Sequence, residues 1–232
     1  MCGGKKGWSF DFDMELILVR HGRVDGGEKR FNASGRFDQP LGELGAQQSR
    51  CLVPRFEGQE IAAIYASELM RTQQTAQPLA DALGLPIMVH PSLNEVYLGE
   101  YEGRSFSRLL QERDEVYMRF LETRRWSEFP GSEGDDSVRE RVTLVMEELV
   151  ELYPKQRVVA FTHGGIINAA LAIAIESPWL VLVSPENASV TSIYLRPKPP
   201  LVVTVNDTSH LPDRDPLKRA PRYFFDAVGS SY

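Results

Sequence analysis

The chain has 232 residues, 42% of them hydrophobic and 25% charged, which is enough apolar material for one ordinary domain with a sizeable core. Its formal net charge of -6 and pI near 5.4 exclude a general attraction to nucleic acid or to an anionic membrane surface, so any anion site must be a local basic pocket. The two cysteines, Cys2 and Cys51, make no disulfide framework and suit a reducing, cytoplasmic setting.

Residues 1–13, MCGGKKGWSFDFD, read as an N-terminal tail ahead of a single domain over 14–232; they lack the apolar stretch of a signal peptide, and Cys2 stands where myristoylation requires glycine. The run ELILV at 15–19 predicts a buried strand, and the periodicity of 44–56 predicts a helix. Strand and helix then alternate: IAAIYA at 61–66, a helix over 70–83, PIMV at 86–89, a helix over 138–152, RVVAF at 157–161 and a helix over 165–175. Two further strands follow at 190–195 and 201–205. Fully apolar strands alternating with helices predict a three-layer α/β/α sandwich around a mostly parallel sheet, with ligands at the carboxyl ends of its strands. The window IINAALAIAIESPWLVLV is broken by Asn168, Glu176 and Pro178, so it reads as a buried helix and its sequel, not a membrane span. Charged and aromatic residues at about 97–137 break the alternation and predict a helical lid insertion.

Two stretches share one design. LILVRHG at 16–22 and RVVAFTHGG at 157–165 each run from a strand into histidine and then glycine, using two of the chain's four histidines. A histidine at a strand end is held by rigid backbone, and the glycine after it lets the chain turn sharply and lets a ligand approach the main chain. A helix follows THGG, so the amides near Gly164 and Gly165 are expected to form an anion site. Arg20 beside His21 argues against a metal, because a fixed cation repels a divalent ion and no cluster with ligand spacing accompanies either histidine. A second arginine, Arg71 in SELMRTQQTA, opens the helix after the strand at 61–66. Taken singly, a strand-end histidine is usually packed and a first-turn arginine usually solvated. Together Arg20, His21, Arg71 and His163 converge at three strand ends, as donors around a tetrahedral oxyanion such as phosphate would.

These stretches carry a resemblance. LILVRHG, SELMRTQQTA, LNEVYLGEYEG, THGG and NDTSHL follow one another in the order of the histidine phosphatase superfamily, also called the phosphoglycerate mutase-like family, over roughly residues 15–210. The resemblance implies that His21 becomes phosphorylated, that Arg20, Arg71 and His163 hold the phosphoryl oxygens with Gly164 beside them, and that Glu95 is the proton donor. It implies no metal and no cofactor. Phosphoryl transfer needs such parts: an in-line nucleophile, neutralisation of three equatorial oxygens and an acid for the departing alkoxide. Attack by His21 further requires one free ring nitrogen, with the other donating to a backbone carbonyl.

The chain also departs from the family pattern. Val24 stands where many members have threonine, Gly27 where asparagine is common, and an insertion of about five residues, DGGEK, leaves Asn32 as the substitute substrate contact. LGEYEG and FPGSEGDDSVRERV resemble the phosphatase branches more than the mutases. The expectation is a metal-independent phosphomonoester phosphatase acting on a small phosphorylated metabolite. A cofactor-dependent phosphoglycerate mutase and a non-catalytic phosphate-ester-binding protein are the alternatives. Phe106, Tyr117, Trp126 and Phe129 are candidates for lining the substrate side. The expected partner is a small phosphate ester, with no nucleic acid, no membrane, and a homodimer left open.

Overall fold

A computed structural model describes residues 14–24, 35–196 and 199–212. Strands β1 (Met14–Arg20), β2 (Ala63–Ala66), β3 (Ile87–Val89), β4 (Gln156–Thr162), β5 (Val190–Arg196) and β6 (Leu201–Asp207) form one sheet in the order β3-β2-β4-β1-β5-β6. β1, β2, β3 and β4 pair in parallel. β5 and β6 join antiparallel, so the expected mostly parallel sheet carries an antiparallel margin. The helices are α1 (Glu43–Arg55), α2 (Met70–Leu83), α3 (Phe106–Gln111), α4 (Glu115–Thr123), α5 (Gly134–Leu152) and α6 (Gly164–Ala174).

Side chains alternate across a strand, and β1 sorts its residues accordingly. Leu16 and Leu18 join the cluster containing Val142 and Leu149 of α5 and Ile167 and Leu171 of α6. Ile17 and Val19 face Leu52 of α1 and Ala76 and Leu79 of α2. Each such aliphatic side chain, once fully buried, contributes about 1.5–3 kcal/mol, so the two faces hold the sheet between two helical layers. This is the three-layer sandwich that the strand pattern predicts. In β6 the pattern weakens to a half-exposed alternation, since it lies at the sheet edge with Leu201, Val203 and Val205 outward.

The insertion is joined to the main core rather than standing off it. Leu109, Tyr117, Phe120, Trp126 and Phe129 belong to the same cluster as Leu16 and Leu18. Its aromatic rings pack closely, with the Phe120 ring centroid 4.8 Å from that of Trp126 and 5.0 Å from that of Phe129, both pairs tilted. Its two flanks cross each other: the Glu100 amide donates to the Pro130 carbonyl at 3.0 Å and the Glu133 amide to Tyr97 at 3.1 Å. A Cβ on Gly99 would meet the Pro130 carbonyl oxygen, so that glycine permits a backbone crossing in addition to its positive φ. The glycine-bounded flanks thus fasten the base of the insertion. Among the described residues, no helix is long and apolar enough to cross a membrane.

Candidate active site

The site is built where β1, β4 and β2 end side by side. Arg20 lies opposite Thr162 in the parallel register, and the next amide, that of His21, donates to the Thr162 carbonyl at 2.9 Å. Register therefore places His21 and His163 at the same height, with ring centroids 5.2 Å apart. The His21 loop is then locked from three sides. Its carbonyl accepts from Asn187 at 3.0 Å, the Gly22 amide donates to Thr75 at 2.9 Å, and Ala188 donates to both Arg20 and His21 carbonyls.

The His21 ring hydrogen-bonds the Gly22 carbonyl through Nδ1 at 2.8 Å. A carbonyl only accepts, so Nδ1 carries the hydrogen and Nε2 keeps its lone pair. Burial, with help from the Arg20 and Arg71 charges, pushes the imidazole well below its usual 6.5, which leaves it neutral and nucleophilic. His163 is likewise pushed far down by burial and then by Arg71, His21 and Arg20. Its Nε2 meets Ser67 Oγ at 2.9 Å, while Nδ1 has no partner among the described residues.

Arg71 leaves the first turn of α2 and donates to the carbonyls of Phe37 and Gly35, each at 2.9 Å. Asp38 pins the same turn by accepting from the Met70 amide at 2.9 Å. Arg20 donates to the Pro185 carbonyl, and its Nε is buried without a partner among the described residues. A buried donor normally finds an acceptor, so the unpaired nitrogens of Arg20 and His163 mark a place for a ligand oxygen. Glu95 accepts from the Val96 amide at 2.9 Å and the Gly165 amide at 3.1 Å. Burial raises its carboxyl above the usual 4.5, against the pull of those amides, Arg71 and Arg20. An acid with a raised pKa, close to two arginines that attract an anion, is placed to hand a proton to a leaving group.

A cavity of about 200 Å³ opens over this cluster, with Arg20, His21, Arg71 and Glu95 on its wall alongside Val24, Val96, Leu98, Phe106, Trp126 and Asn187. His163 is fully buried and is not among the wall residues. A larger groove, about 1040 Å³, lies elsewhere between α5, α6 and the β5–β6 turn, and holds none of the site residues.

The structure thus brings together His21, Arg20, Arg71, His163 and Glu95, and Gly164 lies next to His163 at the start of α6. Asn32 and the DGGEK insertion fall outside the described residues. The glycines are needed for reasons other than those expected. A Cβ on Gly22 would meet the Gly45 carbonyl oxygen at 2.7 Å, so this glycine allows the loop to lie against α1. A Cβ on Gly165 would come within 2.5 Å of Glu95 Oε1, and the Gly165 amide is spent on that carboxylate, not left for phosphate. Of the four aromatic candidates, Phe106 and Trp126 line the cavity, whereas Tyr117 and Phe129 are buried in the core.

Sequence reasoning missed several supports. Ser67 follows β2 as His21 and His163 follow β1 and β4, a parallel visible in the chain but not drawn from it. Asn187 gave no signal. Glu133, inside the PGSEG stretch, is paired with Arg141 at 2.7 Å and Arg36 at 3.4 Å. Both arginines in turn donate to the Glu95 carbonyl, so this trio sets the backbone from which the acid projects.

The sequence model of the histidine phosphatase superfamily (branch 1) matches residues 16–208, and the chain belongs to that family. A metal-independent phosphoserine phosphatase of Arabidopsis thaliana is 30% identical over 217 residues, covering 88% of each chain. Phosphoglycerate mutase-like protein 4 of the same plant is 30% identical over 158 residues, covering 67% of this chain and 68% of its own. A mycobacterial glucosyl-3-phosphoglycerate phosphatase, solved with VO3, superposes with a TM-score of 0.68 at 28% identity, covering 77% of this chain and 92% of that one.

Proposed function

We propose that the chain hydrolyses small phosphate monoesters through a phosphohistidine on His21, without a metal or cofactor. The observation that carries this reading is the His21 ring itself: Nδ1 is committed to the Gly22 carbonyl and Nε2 is free, between two arginines and a protonatable carboxyl. In the first half-reaction Nε2 attacks phosphorus as the ester P–O bond breaks, and Glu95 gives its proton to the departing alkoxide. Arg20, Arg71 and His163 hold the phosphoryl oxygens, whose charge they neutralise before the reaction begins. In the second half, Glu95 takes a proton from water as that water attacks the phosphohistidine, releasing inorganic phosphate and restoring both groups. Two fixed cations suit this charge balance, and the matched plant relative is named for metal independence.

The domain is read as one unit over 14–232, with residues 97–137 as its cover. Substrate selection falls to that cover, because Phe106 and Trp126 form the wall facing the phosphate cluster. Among the described residues on that wall, Arg20 and Arg71 are the cations. A cytoplasmic enzyme suits the free thiol of Cys51, and a homodimer is the assembly to test by light scattering. The phosphoglycerate mutase reading stands second, since a mutase-like relative covers two thirds of the chain and mutases share the pocket. Turnover of a panel of phosphate esters in EDTA tests the proposal. Phosphate release from one or more esters is expected. Interconversion of 2- and 3-phosphoglycerate dependent on 2,3-bisphosphoglycerate, with little phosphate release, would promote the mutase.

A further inference from the structure

Ser67 and Thr72 belong to none of the roles above, yet both are fully buried beside the site. Ser67 follows β2, which lies on the opposite side of β4 from β1. His163, following β4, therefore has Ser67 to one side and His21 to the other. Its Nε2 lies 2.9 Å from Ser67 Oγ, and Ser67 Oγ lies 2.8 Å from Thr72 Oγ1. The second ring nitrogen, Nδ1, faces a different way and is unpaired among the described residues.

The hydrogens in this chain can be counted. Ser67 Oγ already accepts from the Leu69 amide at 3.2 Å. The other acceptors within reach of Thr72 are the Leu69 carbonyl at 2.8 Å, which already accepts from the Thr72 amide at 2.9 Å, and the Ser67 carbonyl at 3.2 Å, which already accepts from the Gln73 side chain at 3.3 Å. A Thr72 hydroxyl that donates to Ser67 rather than to a carbonyl that already accepts fills both lone pairs of Ser67 and leaves the Ser67 hydrogen one place to go, His163 Nε2. A ring nitrogen that accepts is not protonated, so the hydrogen of a neutral His163 sits on Nδ1. Nδ1–H is a donor; without its hydrogen the same atom would turn a lone pair toward phosphoryl oxygens.

We propose that Ser67, oriented by Thr72, is a positioning residue that fixes His163 as a neutral ring with the hydrogen on Nδ1, and so makes it a donor to the phosphoryl group. The last step rests on the reading of this site as a phosphate site; the tautomer does not. Ser67 touches no substrate in this scheme and acts through His163 alone.

Nitrogen-15 NMR of histidine-labelled enzyme at neutral pH reads the tautomer directly, with and without inorganic phosphate. His163 should show a protonated Nδ1 and an unprotonated Nε2 in both states. Ser67→Ala should move the hydrogen to Nε2, lower kcat about 10-fold to 100-fold with a smaller rise in KM, and weaken inhibition by phosphate about 10-fold. Ser67→Cys should recover part of the loss, and Thr72→Val, which removes the hydrogen that orients Ser67 while keeping its shape, should shift the tautomer partway. A protonated Nε2 in the parent enzyme would overturn the inference, as would a Ser67→Ala protein with unchanged tautomer and kinetics. Should Ser67→Ala not fold, Thr72→Val and the parent spectrum still decide it. An enzyme without phosphatase activity but with Nδ1–H at His163 would remove the phosphatase reading and leave the tautomer assignment standing.

Discussion

The two strand-histidine-glycine junctions are nearly the same in sequence and opposite in use. After His21 the chain does not enter a helix; it continues through Gly22 and Arg23 to a bridge between Val24 and Leu41. The ring bonds the next residue's carbonyl through Nδ1 and lines the cavity, with Nε2 unpaired among the described residues. After His163 the chain turns at once into α6, and the ring is buried with Nε2 on Ser67 and Nδ1 unpaired among the described residues. Similar local sequence therefore presents opposite nitrogens. The difference lies in the neighbours: β1 ends between β4 and β5, whereas β4 ends between β1 and β2 and so receives a hydroxyl from β2. In the proposed mechanism one junction supplies the nucleophile and the other a fixed donor.

The largest effect should separate the junctions outright. His21→Ala should lose about 10⁴-fold or more in kcat, whereas His163→Ala should lose about 100-fold to 1000-fold. Quenching with alkali after a pulse of labelled substrate should retain the label on His21 in the second variant, and quenching with acid should release it. Label found on His163 in either protein would reverse the assignment.

Next comes the acid that both junctions frame. Glu95→Gln should slow an alkyl phosphate about 100-fold or more but p-nitrophenyl phosphate far less, because nitrophenolate departs without a proton. Equal losses on both esters would pass the acid role to Glu100 or Glu102.

The glycines sharpen the comparison at lower amplitude. Gly165→Ala drives a methyl group against Glu95 Oε1 and should cost about 10-fold to 100-fold in kcat on alkyl esters. Gly164→Ala meets only Arg20 Nε, at 3.8 Å, and should stay within a few fold of the parent. Comparable losses from the two would mean that helix geometry, not the acid, is being disturbed.

The smallest effect is on stability. Both imidazoles are held well below 6.5 in the folded protein, so the unfolded chain binds more protons as pH falls through 6.5. Their stabilisation is complete above 6.5 and is lost progressively below it. Glu95, raised above 4.5, works in the other sense, and its contribution fades as pH rises through its folded value. The Tm should therefore fall on acidification from about pH 7 to 5, and His163→Gln should flatten that slope. A slope unchanged in His163→Gln would show that this ring is not buried neutral.

The chain by itself determined the layers and named the residues that the structure brings together in the candidate site. Apolar runs of strand length alternating with helical periodicity specify a covered sheet, because a strand apolar on both faces has to be buried on both. The family motifs pointed to His21, Arg20, Arg71, His163 and Glu95; Arg20, His21 and His163 sit at strand ends and Arg71 on the helical turn after one, places rigid enough to be read from short patterns, whereas Glu95, in a loop, was selected by the motif alone. What only the tertiary structure decided was where each hydrogen and each glycine is used. The ring nitrogen left free on His21, the Ser67 hydroxyl behind His163, the hold of Glu133 and the two arginines on the Glu95 backbone, and the contact of Gly165 with the acid all join residues far apart in sequence. Such contacts depend on which strands and helices become neighbours. Local pattern carries a residue's type and height in the sheet, and only the order β3-β2-β4-β1-β5-β6 says what stands beside it.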